Sequence, residues 1–191
     1  MQAFLPEPPP ELKRVRLDSL MPTDSETGAV TEEALKSYLT ISIEMMQRTN
    51  GTLALSLVSL DDSPLLRFLG MDGSQSVCES LVQYLQQESR PYDVVGRLSY
   101  KGAMNFPVLA VVSPLCDEEQ ATALAQRLCD HMRYIHRTQE QAWLSLSIGI
   151  AASHWTTQSP QNLLDYAEFS RQHAQQHGGG QIVRYSQCQS G

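Results

Sequence analysis

The chain has 191 residues, 41% of them hydrophobic and 18% charged, with a formal net charge of −7. That length supports one domain with its own core, and that composition is globular. The acidic balance excludes the broad basic face that grips nucleic acid or an anionic membrane, while leaving room for a local arginine cluster.

The first ten residues, MQAFLPEPPP, are proline-rich and read as a linker. Residues 11–22 read as a short helix with Leu12, Val15 and Leu20 as its apolar points, and TDSETG at 23–28 as a turn rich in capping side chains. Over 30–48, Leu35, Leu39, Ile43 and Met46 recur at helical spacing. Asn50 and Gly51 mark a turn, and 53–60 is a continuous apolar run that reads as a buried strand. Residues 61–73 are mixed, with one helical turn around 65–69. Val77, Leu81 and Leu85 then align on one face of a helix over 74–88.

Two strands, 94–98 and 108–112, flank SYKGAMNFP and read as a hairpin. A helix over 117–133 turns Ala121, Leu124, Ala125 and Leu128 inward. Residues 143–151 alternate, with Leu144, Leu146 and Ile148 on one side and serines between them. A last helix over 161–177 stops at Gly178, Gly179 and Gly180 and leads into a closing strand over 181–185. Helices alternating with short apolar strands predict an α/β (α+β) domain, a mixed central sheet of about five strands flanked by helices. The predicted organisation is a lead-in at 1–20, one domain at 21–187 and a tail at 188–191.

Cys78, Cys116, Cys129 and Cys188 form no C-x-x-C pair and no zinc-type spacing, and Cys78 and Cys129 read as buried thiols on helices. His173 and His177 share one face of the last helix, which reads as polar surface and not as a metal site. No apolar run approaches the roughly 20 residues of a membrane span. The start lacks the basic and apolar regions of a signal peptide, so the expected setting is the cytoplasm.

The order of elements and several local words resemble the GGDEF (diguanylate cyclase) family over about residues 20–186. TDSETGAVTEEAL resembles the family's opening D-x-L-T-G word, with Asp24, Thr27 and Gly28 kept. LSLSIGIAA at 144–152 resembles its T-x-S-I-G-V-A strand, and the stretch 162–183 its final helix and strand. The resemblance implies a nucleotidyl-cyclase-like fold.

The family's central word, R-x-x-D-x-x-x-R followed by G-G-D-E-F, joins a cyclic di-GMP receptor site to the active-site hairpin. Here the text is RPYDVVGRLSYKGAMNF. Arg90 and Asp93 match the receptor site and Arg97 the residue leading into the hairpin. Ser99, Tyr100, Lys101, Gly102 and Ala103 stand where G-G-D-E-F belongs, with Phe106 as a displaced counterpart of the signature phenylalanine. The family joins two GTP molecules with metal ions held by carboxylates, because dense phosphate charge needs hard cations and acidic oxygen ligands. On the first core strand, alignment puts Ser59 at the metal position and Asp61 at the second aspartate, and a slip of one or two residues puts Asp61 or Asp62 there. Ser74 replaces a guanine-reading aspartate and Gln175 the lysine of the final helix.

The receptor site fares better. Arg127, in ALAQRLCD, matches the family's third ligand residue, and Tyr92, Arg97 and Arg133 are candidates for extra contacts. Arginine suits guanine O6 and N7 and phosphate, and a carboxylate suits guanine N1–H and N2–H. The expected function is a catalytically inactive GGDEF domain that acts as a cyclic di-GMP receptor. No catalytic residue, metal or cofactor is expected; a homodimer bridged by ligand and a protein partner or fused output domain are. Two rivals fit the same residues: a ligand-free scaffold with an exposed apolar hairpin patch around Tyr100, Met104 and Phe106, and a residual GTP-binding cyclase using Asp61 or Asp62.

Overall fold

The computed structural model describes residues 15–101, 106–136, 144–153 and 159–189. A single 3-10 turn, Asp18–Leu20, precedes α1 (Glu32–Thr49), β1 (Leu53–Leu60), α2 (Pro64–Glu88), β2 (Val94–Lys101) and β3 (Pro107–Pro114). Then follow α3 (Glu118–His136), β4 (Leu146–Ser153), α4 (Pro160–Gln176), β5 (Ile182–Arg184) and the short α5 (Tyr185–Cys188). The strands form one mixed sheet in the order β2-β3-β1-β4-β5. β1 pairs antiparallel with both β3 and β4, β2 pairs antiparallel with β3, and β5 runs parallel to β4. The expected five-stranded mixed sheet flanked by helices is therefore what the chain builds.

β1 is buried at all eight positions because both its faces are covered. Ala54, Val58 and Leu60 face the core shared with Leu81 and Leu85 of α2 and Ala125 and Leu128 of α3. Leu53, Leu55 and Leu57 face the core shared with Leu35 and Leu39 of α1 and Leu163 and Ala167 of α4. Burying each such leucine contributes roughly 1.5–3 kcal/mol. Both α2 and α4 begin on a Ser-Pro pair. Ser63 Oγ accepts the Leu66 N–H at 3.2 Å, Ser159 Oγ accepts the Asn162 N–H at 3.2 Å, and proline sits where no N–H is needed.

Four local expectations change. α2 is one continuous helix of 25 residues through the segment read as mixed. The lead-in forms only the 3-10 turn, with Val15 65% and Leu20 73% exposed; the inward residue is Asp18, which holds Arg16. Leu12 lies outside the described residues. Phe106 is 3% exposed inside the core against α2 and α3, so it is no part of a surface patch; Met104 lies outside the described residues. The closing strand is three residues long and passes directly into α5. Cys78 and Cys129 are buried as expected, and burial pushes their thiols up to about 12 and about 11.

Two close approaches fix how neighbouring elements sit. At Gly149 of β4 an added Cβ would lie 2.2 Å from both the Ala167 carbonyl and the Arg171 nitrogen, so α4 packs directly on the strand backbone. Before α1, Val30 makes a one-residue parallel bridge to β2: its N–H donates to the Val95 carbonyl and its carbonyl accepts the Arg97 N–H, both at 2.9 Å.

Candidate functional site

The end of α2 is set by Pro91, and the chain turns through 90–93 before β2. The Arg90 N–H donates to Asp93 Oδ2 at 2.8 Å, and the Asp93 N–H donates back to the Arg90 carbonyl at 3.0 Å. This reciprocal closure uses the backbone of residue 90 and leaves its side chain for other work. Arg90 Nη1 donates to the Leu115 carbonyl at 3.3 Å and to the Tyr92 hydroxyl at 3.4 Å. Leu115 offers that carbonyl from a left-handed conformation, φ 54°, on the loop between β3 and α3.

Arg90, Asp93 and Arg127 line one cleft of about 250 Å³ between the end of α2 and the start of α3, with Ser56, Ser113 and Cys116 at its base. Arg127 Nε donates to Glu88 Oε2 at 3.2 Å, and its Nη2 reaches the Glu88 carbonyl at 3.4 Å. Asp93 is 3% exposed, and among the described residues its Oδ1 closes no hydrogen bond, although the Ser113 hydroxyl lies near the carboxylate. Burial raises the Asp93 carboxyl above the usual aspartate range, opposed chiefly by the Arg90 N–H.

The other candidates go elsewhere. Tyr92 stands 41% exposed at the turn, touches Arg90 through its hydroxyl, and accepts the Tyr38 hydroxyl on its carbonyl at 2.6 Å. Arg97 does not line the cleft. Its Nη1 pairs with Asp24 at 2.7 Å and Glu26 at 2.8 Å, tying β2 to the turn before α1. Burial alone would raise the Asp24 carboxyl, but the Thr27 hydroxyl and Arg97 outweigh it and hold it below its usual range. Arg133 pairs with Asp130 at 3.3 Å on the exposed side of α3, also outside the cleft. Glu88 and Arg16 escaped the sequence reading because their partners are set by the fold and carry no local word.

The three candidates at the end of the first core strand, Ser59, Asp61 and Asp62, are each engaged by groups of the protein itself. Ser59 is 1% exposed, and its hydroxyl accepts from Arg171 Nη1 at 2.9 Å and from Gln175 Nε2 at 3.1 Å. Arg171 is itself 4% exposed and forks onto Glu168. A guanidinium thus occupies the surroundings where a divalent cation would need acidic oxygens. Asp61 is committed on both oxygens: Oδ1 accepts Ser147 Oγ at 2.6 Å, and Oδ2 accepts Ser145 Oγ at 2.8 Å and the Gly180 N–H at 2.7 Å. Asp62 is exposed and paired with Arg67. These residues do not fit a magnesium ion, and among the described residues no group of three or more histidine, cysteine or acidic side chains is placed to hold a metal. Asp61 instead staples β4 to the glycine run after α4. Asp61→Ala strands three donors and is expected to destabilise the fold by about 3 kcal/mol, read from urea unfolding midpoints.

A mixed sheet with helices on both faces and an antiparallel β2–β3 hairpin defines a nucleotidyl-cyclase-like domain. The family model for "Diguanylate cyclase, GGDEF domain" matches residues 22–181, and the chain belongs to that family. No curated protein matches it in sequence. Among solved structures, the GGDEF domain of FimX from Pseudomonas aeruginosa is 20% identical with a TM-score of 0.69, covering 85% of this chain and 98% of that one. The GGDEF domain of TpbB (YfiN) from the same organism is 20% identical with a TM-score of 0.71, over 89% of this chain and 100% of that one. The GGDEF domain of DgcB from Caulobacter crescentus, solved in complex with c-di-GMP, is 12% identical with a TM-score of 0.67, over 86% and 95%. Among the described residues no helix is long and apolar enough to cross a membrane.

Proposed function

We propose that this chain is a GGDEF domain without cyclase activity that binds cyclic di-GMP in the cleft of Arg90, Asp93 and Arg127. One observation carries this reading: three residues from two elements line one cleft, and among the described residues Arg90 bonds only neutral groups while Asp93 Oδ1 closes no hydrogen bond, with only the Ser113 hydroxyl near the carboxylate. A buried acceptor without a partner is costly, and a guanine offers the donors it lacks. A ligand phosphate would take Arg127 from Glu88. The cleft is smaller than the roughly 300–1,000 Å³ that encloses a whole small ligand, so one face of the ligand stays outside, open to a second ligand or a second copy of the chain. The absence of cyclase chemistry rests on Ser59 and its guanidinium neighbour and on the saturation of Asp61.

Isothermal titration with cyclic di-GMP tests the reading, beside an assay for product from GTP and magnesium. Binding at micromolar concentration without turnover is expected. A flat titration at tens of micromolar, or product formation, sinks it.

The pH dependence has a definite sign. Guanine N1–H and N2–H pair with the charged carboxylate, so ligand favours ionised Asp93. Because that carboxyl titrates above the usual 3.8, affinity holds at neutral pH and falls as pH drops through the raised value. Asp93→Asn flattens this dependence. In the free protein the sign reverses: native Asp93 holds its proton longer than unfolded Asp93, so its contribution to stability declines as pH rises through the raised value.

A further inference from the structure

The turn that carries Arg90 and Asp93 is held on a second side by the lead-in. Arg16 donates from Nη1 to the Ser89 carbonyl at 3.0 Å and from Nη2 to the Ser89 hydroxyl at 3.2 Å and the Asp93 carbonyl at 3.1 Å. The Leu17 N–H donates to the Pro91 carbonyl at 2.8 Å. Alternate residues of the turn, 89, 91 and 93, are therefore each bonded to the lead-in. Asp18, 2% exposed, fixes the guanidinium through Nε at 3.0 Å and Nη2 at 2.9 Å. Arg16 does not line the ligand cleft; it lines a separate one with Gln83, Gln87, Ser89 and Pro91. Val15 and Leu20 are exposed while Leu17 and Met21 pack against the edge of the core, so the polar bonds of Arg16 share the docking with a small apolar contact and hold the turn in position.

We propose that segment 15–20 is the coupling element of the cyclic di-GMP site, with Arg16 as the positioning residue that sets the 90–93 turn for ligand. This rests on the ligand reading above and adds its regulation. Whatever pulls the lead-in from the turn loosens the carbonyls of Ser89 and Asp93 and with them the geometry of Arg90 and the Asp93 carboxylate. By thermodynamic reciprocity, bound ligand tightens the docking by the same factor. Mechanical or partner-induced displacement of residues before Arg16 thus becomes a change in affinity, and ligand becomes a change in how firmly those residues are held.

The test uses the full chain, cyclic di-GMP titration and hydrogen exchange at the Leu17 amide. Saturating ligand is expected to slow Leu17 exchange, and Arg16→Ala to weaken affinity about tenfold. Since Arg16→Ala leaves Asp18 buried and unpaired, the double variant Arg16→Met/Asp18→Asn removes both charges at similar shape and should weaken binding equally. Variants that melt lower yet bind with unchanged affinity, together with Leu17 exchange indifferent to ligand, overturn the coupling and leave the cleft reading standing. If the unaltered chain binds no cyclic di-GMP, the cleft reading fails and the coupling with it.

Discussion

Arg90→Ala is expected to lower cyclic di-GMP affinity at least about a hundredfold, the loss of a forked, charge-assisted contact worth about 3 kcal/mol. The fold should survive it. The turn is closed by the backbone N–H and carbonyl of residue 90, which alanine keeps. The side chain's own bonds, to the Leu115 carbonyl and the Tyr92 hydroxyl, are long and exposed, worth at most about 1 kcal/mol together. Arg133→Ala, which removes an exposed arginine outside the cleft, is the matched control and should bind as the unaltered chain does. Equal losses in both variants would point to diffuse charge attraction in place of a built site, and isothermal titration at two salt concentrations separates the two outcomes.

Gly149→Ala should be strongly damaging for a single methyl. The new Cβ meets the Ala167 carbonyl and the Arg171 nitrogen at 2.2 Å, and both are backbone atoms that no rotamer change can move aside. α4 has to lift from β4, drawing Leu163 and Ala167 from the core and the Arg171 guanidinium from Ser59. A loss of about 3 kcal/mol or more is expected, measured by denaturant unfolding. A change under about 0.5 kcal/mol would mean that α4 does not sit on the strand as described.

Much of this architecture was legible in local pattern. The spacing of Leu35, Leu39, Ile43 and Met46 placed α1, and the unbroken apolar run of β1 signalled a strand covered on both faces. The first half of α2 is hard to read in the sequence because Gly70 and Gly73 break its pattern, although Ser63 and Pro64 mark a helix start. The lead-in differs for another reason: apolar spacing points to Val15 and Leu20, whereas the half-buried ion pair of Arg16 with the buried Asp18, together with Leu17 and Met21, decides which side faces in. At the candidate site, a resemblance located Arg90, Asp93 and Arg127, and folding brings all three to one cleft. Arg97, a candidate only for an extra contact, has its partners Asp24 and Glu26 more than seventy residues away, and they make it a tie between elements. The roles of Asp61, bonded to Gly180 across 119 residues, and of Arg171, bonded to Ser59 across 112, leave no trace in local spacing because each partner is chosen by topology.

The single-residue bridge from Val30 to β2 has a bearing on how copies of this domain can meet. An outer strand normally shows a row of unsatisfied amides and carbonyls, an open template for another chain. On β2 the outward N–H of Arg97 and carbonyl of Val95 are already taken by Val30, and the Arg97 side chain is drawn toward Asp24 and Glu26. At the far edge, β5 has only three residues before α5 begins. Neither border of the sheet invites strand-by-strand growth, so any surface by which two copies could meet would lie on helices and loops, where contact is reversible rather than fibrous.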